Sequence, residues 1–191
     1  MESTQAILGT IRHCKPCRRR SNIPSTPHKR TEGENSMNPD FQRYAESLHP
    51  SFERLVNMTP VNIASRPAGV PRQGIYLFCE GNKALYVGRT NNLPSRLRQH
   101  SIDSAPHNQA VFAFKIAREM TGNLQATYRT EGSRSALSAN PEFASAFLSA
   151  KRRVRGMDLR YVEEPDQLRQ ALLEIYVSVA LGTPYNDFNT H

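Results

Sequence analysis

The apolar positions along this chain change period several times, and each change marks an element. Phe41, Tyr44, Leu48, Phe52 and Leu55 recur every three or four residues, which predicts a helix over 39–59 with these side chains packed on one face. Asn38 is placed to cap it and Pro39 suits its first position, while Pro50 falls inside it and threatens an interruption. Residues 60–73, with Pro60, Pro67 and Pro71, read as an extended linker. The period then shortens. Gly74–Cys79 and Ala84–Gly88 are short apolar runs rich in strand formers, separated by the polar segment Glu80-Gly81-Asn82-Lys83 with a hairpin-turn composition.

Helical signals return after the hairpin. Asn92 and Pro94 open a helix over 93–100, and Ala110, Val111, Phe114, Ile116 and Ala117 carry another within 108–121. Residues 122–139 read as a loop or broken helix. Asn140-Pro141-Glu142 starts a helix that runs to about Arg155. Met157–Val162 alternates as a third strand, and Pro165-Asp166 opens a last helix through Leu181, stopped by Gly182. There is no internal repeat.

Composition changes the picture at the N-terminus. The chain has 191 residues and a net charge of +8. Residues 1–36 hold seven Lys/Arg against three acids, include Arg18-Arg19-Arg20, and show no sustained period, so they read as a disordered basic tail. The different character of the chain from Met37 onward makes Met37 an alternative natural start, which mass spectrometry of the native protein would test. The segment 37–73 then forms an N-terminal helix and linker, and 74–191 the main domain. The overall basic balance favours a polyanionic partner, although solubility alone accounts for it as well. Cys14, Cys17 and Cys79 are too few and odd in number for a disulfide framework, so a reducing, intracellular (cytoplasmic) home is expected. His13, Cys14 and Cys17 resemble half a zinc site, but no second Cys pair follows. No run approaches the roughly 20 apolar residues of a membrane span, so no membrane association is expected.

Gly74-Ile75-Tyr76, nine residues, and then Tyr86-Val87-Gly88 resemble the signature of the GIY-YIG nucleases. Arg96 stands ten residues after Tyr86, as the family's helical arginine does, and Arg89 directly follows the second glycine. Glu174 and Pro184-Tyr185-Asn186 match the late-helix glutamate and the asparagine twelve residues on. His100, four residues after Arg96, matches a histidine of some restriction-type members. The resemblance covers 74–100 and 157–186, which leaves 101–156 as a helical insertion. It implies an α/β (α+β) sandwich with a small three-stranded, mostly antiparallel sheet flanked by helices. It also implies an endonuclease that hydrolyses DNA with one divalent cation to leave 5′-phosphate and 3′-hydroxyl ends, with Tyr76 as the favoured general base.

The residue chemistry agrees. Tyr76 and Tyr86 lie on paired strands and can face one cleft. A phenol is a poor base unless cations lower its pKa, and Arg89, Arg96 and a metal would supply such a field; packing alone also accounts for two tyrosines in a sheet. Arg96 and His100 share a helix face, where the arginine fork suits a phosphate and the histidine suits a base, a phosphate or a tyrosine hydroxyl. Glu174 sits in a markedly apolar helix and needs either an arginine or a metal. A lone hard oxygen ligand suits Mg²⁺ or Mn²⁺. Asn186 is expected to tie the C-terminal loop to the site. Arg89, Arg96, Arg98 and the cluster Lys151, Arg152 and Arg153 are candidate phosphate contacts, although a charge run is also an ordinary solvated face. The expected partner is DNA, with RNA and the oligomeric state left open. Two other readings stand beside this one: a catalytically silent nucleic-acid-binding module on the same scaffold, and an interaction protein working through its basic tail, which deletion of 1–36 would separate.

Overall fold

The computed structural model describes residues 37–65, 68–123 and 133–188. The basic tail, the Cys14/Cys17 pair and the middle of the 122–139 segment lie outside the described residues. Two glycines set the sheet at the heart of the fold. Gly74 has φ +151°, and a Cβ there would lie 2.0 Å from the Val162 carbonyl oxygen. A Cβ on Gly88 would lie 2.4 Å from the Tyr76 hydroxyl. Each glycine therefore makes room for a specific neighbour, the first a backbone and the second a ring.

Around these positions run β2 (Gly74–Glu80), β3 (Lys83–Thr90) and β4 (Asp158–Glu163), all antiparallel, with β2 in the centre. The hairpin between β2 and β3 turns on Gly81-Asn82, with Gly81 at φ +58°. A register shift after Phe78 leaves Leu85 between the pairs Phe78–Tyr86 and Cys79–Ala84. A fourth strand, β1 (Val61–Asn62), pairs with β4, so the sheet has four strands in the order β1-β4-β2-β3. Sequence predicts three strands and an extended linker over 60–73. A two-residue strand carries no readable alternation, which is why it escapes the pattern.

The expected helix over 39–59 is two helices, α1 (Pro39–Glu46) and α2 (His49–Asn57). Pro50 has no N–H to give to a carbonyl four residues back, and the chain restarts at His49 so that the proline falls in the first turn of α2. The break also undoes the expected packing of the whole stripe. Leu48 and Leu55 are buried, whereas Phe41 is 49% exposed and α1 buries no residue.

The remaining helices are α3 (Leu93–Ser101), α4 (Val111–Met120), α5 (Arg134–Ala139), α6 (Pro141–Arg155) and α7 (Gln167–Leu181). Three of these starts follow the predicted caps. Asn92, Asn140 and Asp166 each accept backbone N–H bonds from the first turn of α3, α6 and α7. Gly182, at φ +62°, ends α7 as expected. The two faces of the sheet are both covered. Tyr76, Phe78, Tyr86 and Leu159 pack with α3, α4 and α6, including Phe112, Phe114, Phe143 and Phe147. Ile75, Leu77, Val87 and Val162 pack with Leu48 just before α2, Leu55 of α2, and Leu173 and Val177 of α7. The mixed α/β class is as predicted.

Candidate active site

β3 is an edge strand, and six of the predicted residues meet around it. From the β2 side comes Tyr76, 1% exposed, its ring lying under Gly88. The first turn of α3 sends Arg96 back over the sheet, where its Nε donates to the Tyr76 hydroxyl at 3.1 Å. The Arg96 guanidinium is held from behind by the Gln109 carbonyl at 2.9 Å and the Gln99 side chain at 3.3 Å. One turn further along α3, His100 is fully buried with Nε2 3.0 Å from the Tyr76 hydroxyl. Tyr76 thus links the two residues that share one face of α3. Tyr86 stands next to them, its ring 6.3 Å from that of Tyr76 and stacked on Phe112 at 4.7 Å.

Glu174 reaches the same edge from α7. Its Oε2 accepts from Arg89 Nε at 3.1 Å. The alternative of an arginine partner for Glu174 is therefore met, and the partner is the residue that follows the second glycine of the signature. The Glu174 side chain is 19% exposed and that of Arg89 47%, so the pair opens to solvent from a largely apolar helix.

The electrostatics of the tyrosines run opposite to the sequence expectation. Burial raises the Tyr76 pKa above the ordinary phenol range, and the nearby Arg96 only partly offsets it. Burial raises Tyr86 in the same way, again against Arg96. Both phenols are neutral at physiological pH. His100 is pushed down to about 3, first by burial and then by the Arg96 charge, so its ring is neutral too. His100 Nδ1 has no hydrogen-bond partner among the described residues. Glu174 is raised by burial, with Arg89 and then Arg96 pulling the other way.

Asn186 acts one step back from these groups. Its side-chain amide accepts from Val87 N at 2.8 Å and donates to Val87 O at 2.7 Å. Both polar groups of an edge-strand residue are satisfied, and the C-terminal loop is tied to β3 between Tyr86 and Gly88, as the sequence suggests.

The predicted basic cluster is placed differently. Lys151 is 5% exposed, and its ammonium donates to the carbonyls of Asp103 and Ala105. Arg153 forms two hydrogen bonds to Glu80, at 2.9 and 2.6 Å. Arg152 lies 3.8 Å from the Asp103 carboxylate. Lys151 is enclosed, where a buried ammonium must be hydrogen-bonded, whereas Arg152 and Arg153 stay exposed while they pair with Asp103 and with Glu80 at the end of β2. Of the candidate phosphate contacts, Arg89, Arg98, Arg152 and Arg153 are exposed, Arg96 is half-buried at the site and Lys151 is buried. Sequence reasoning passed over Gln170, Ser178 and Thr183, polar residues buried between α7 and β3. A signal is present for two of them: Gln170, Glu174 and Ser178 recur every four residues, the last two within the otherwise apolar run from Ala171 to Leu181.

The family model of the GIY-YIG catalytic domain matches residues 72–131. This segment of the chain is similar to a GIY-YIG catalytic domain. The match takes in both signature tripeptides, Arg89, Arg96 and His100, and continues through α4, while Glu174 and Asn186 lie beyond it. GIY-YIG domains form a nuclease family, and the matched segment of this chain runs through β2, β3, α3 and α4. No curated protein and no solved structure matches the chain. Among the described residues no helix is long and apolar enough to cross a membrane.

Proposed function

We propose that this chain is a metal-dependent endonuclease that hydrolyses phosphodiester bonds in DNA. The observation that carries the reading is the convergence at one sheet edge of a buried Tyr76–Arg96–His100 set with the Arg89–Glu174 pair. Two arginines and a carboxylate at one opening suit an anionic substrate together with a cation; phosphate binding alone gains nothing from the carboxylate.

The donor set fits Mg²⁺ or Mn²⁺. Among the described residues no three His, Cys, Asp or Glu side chains group as a metal cage. A hard cation of this kind uses one or two carboxylates and takes its other ligands from water and substrate. Glu174 would hold it, since burial raises this carboxylate even with Arg89 beside it and a cation would favour the charged form. When bound, the cation supplies positive charge against the phosphate oxygens. Arg96 and Arg89 offer planar forks to the same oxygens. Tyr76 serves as a base only as its phenolate, the form that the hydrogen bond from Arg96 Nε favours. His100, 3.0 Å away and held neutral, orients the hydroxyl and does not take its proton.

Plasmid nicking by the purified protein with Mg²⁺ or Mn²⁺ tests the reading, beside Glu174→Gln and a chelator control. Conversion of supercoiled DNA that needs both Glu174 and the cation supports it. Retained binding with no cleavage of plasmid, branched or single-stranded DNA would favour the silent binding module.

A further inference from the structure

Helix α7 meets the free edge of β3 through three polar contacts in strict order. Gln170 Nε2 donates to Asn91 Oδ1 at 3.2 Å, just beyond the end of β3, and to the Glu164 carbonyl at 2.8 Å. One turn on, Glu174 accepts from Arg89. One turn further, the Ser178 hydroxyl meets Thr183 Oγ1 at 2.8 Å, Thr183 meets Asn186 at 2.9 Å, and Asn186 holds Val87. Positions i, i+4 and i+8 of the helix thus answer residues 91, 89 and 87 of the strand. The pitches match: four helical residues advance about 6 Å, and two strand residues about 6.8 Å. The outer contacts are closed to solvent, with Gln170 1% and Ser178 7% exposed, and only the central one opens at the site.

We propose that Gln170 is a positioning residue that fixes the axial register of α7 against β3, and so the placement of the Glu174 carboxylate. Asn91 lies in the turn that joins β3, with Arg89, to α3, with Arg96; its neighbour Asn92 caps α3. One carboxamide therefore ties the helix bearing Glu174 to the turn between the two arginines. An apolar side chain in its place would fill the space but leave the helix free to slide along the strand, with the Glu164 carbonyl buried and unpaired. The catalytic consequence rests on the nuclease reading above; the geometric one does not.

The test compares Gln170→Met with Asn91→Ala, which removes the same bond from the exposed side of the turn and spares the core. Gln167→Met, on the solvent side of α7, is the control. The first readout is the Arg89 Nε–H resonance in the full chain, which reports the bond to Glu174 without any cleavage. The second is the division of cleavage kinetics between kcat and KM. We expect the resonance to shift in both variants and not in the control, with kcat lower by about tenfold or more, as for groups that orient a metal-binding carboxylate, and KM little changed. An unmoved resonance, or an unchanged kcat in variants of a wild-type protein that cleaves, overturns the proposal. A moved resonance in a protein that never cleaves upholds the register role and defeats the nuclease reading instead.

Discussion

His100 makes the fold acid-sensitive in a way that can be worked out. The ring is fully buried, and its pKa falls from the ordinary 6.5 to about 3. Between these values the unfolded chain binds a proton that the folded chain refuses. Stability from this group is therefore complete above pH 6.5 and is lost as the pH falls toward 3. Each pH unit in that window costs about 1.4 kcal/mol. At pH 4.5, two units below the unfolded value, the loss is about 2.7 kcal/mol relative to pH 7.5. That is a large part of the roughly 5–15 kcal/mol that holds a domain of this kind together. Urea unfolding at pH 7.5 and 4.5 gives the wild-type loss, which includes every other titrating group. The same pair of measurements on His100→Gln removes the imidazole while leaving an amide toward Tyr76. The wild-type loss should exceed that of the variant by about 2.7 kcal/mol. The His100 ring resonances should also stay fixed from pH 8 down to pH 4.5. Parallel losses in the two proteins, or a ring that titrates near 6.5, would refute the claim that His100 is held neutral.

Further outcomes follow from the fold and the site. Gly88→Ala forces a methyl against the Tyr76 hydroxyl and should cost on the order of 1–3 kcal/mol in denaturant unfolding, together with cleavage activity. Gly74→Ala, which meets the Val162 backbone instead of a ring, should be the worse of the two in the same assay. Asn186→Asp removes the donor to Val87 O and sets an anion against that carbonyl, so stability should fall by about 1–3 kcal/mol when urea midpoints are compared. Lys151→Met should lower the thermal midpoint but leave the salt dependence of DNA binding unchanged, whereas Arg98→Ala should reduce the slope of log affinity against log salt by about one unit.

The candidate site was legible because its chemistry is unusual for its surroundings. A glutamate among Leu172, Leu173, Ile175 and Val177 needs a partner, and the signature spacing put two tyrosines on paired strands. The caps at Asn92, Asn140 and Asp166 are local chemistry and were readable for that reason. Long-range facts were not. Nothing in the order of residues shows that Lys151 turns inward to the carbonyls of Asp103 and Ala105, since a run of cations looks the same whether it is solvated or enclosed. The depth at which Tyr76 lies was equally hidden, and that depth reverses the sign of its pKa shift. Pro50 gave warning of a break, but the loss of packing across it depends on where the first helix then points. Val61–Asn62 became a strand only because β4 offered it an edge.

The end of β3 raises a problem that every open sheet must solve. An unpaired outer strand is a template for any passing extended chain, and the proposed nuclease must leave this border accessible to its substrate. The Asn186 carboxamide imitates a peptide group, giving Val87 one donor and one acceptor as a neighbouring strand would, while Tyr185 N–H serves Leu85 O at 3.2 Å. Two residues thus stand in for a missing fifth strand. They close the border to strand addition at Leu85 and Val87 and stop short of Arg89. Protection against edge-to-edge self-association and access for the ligand are then divided along one strand, a few residues apart.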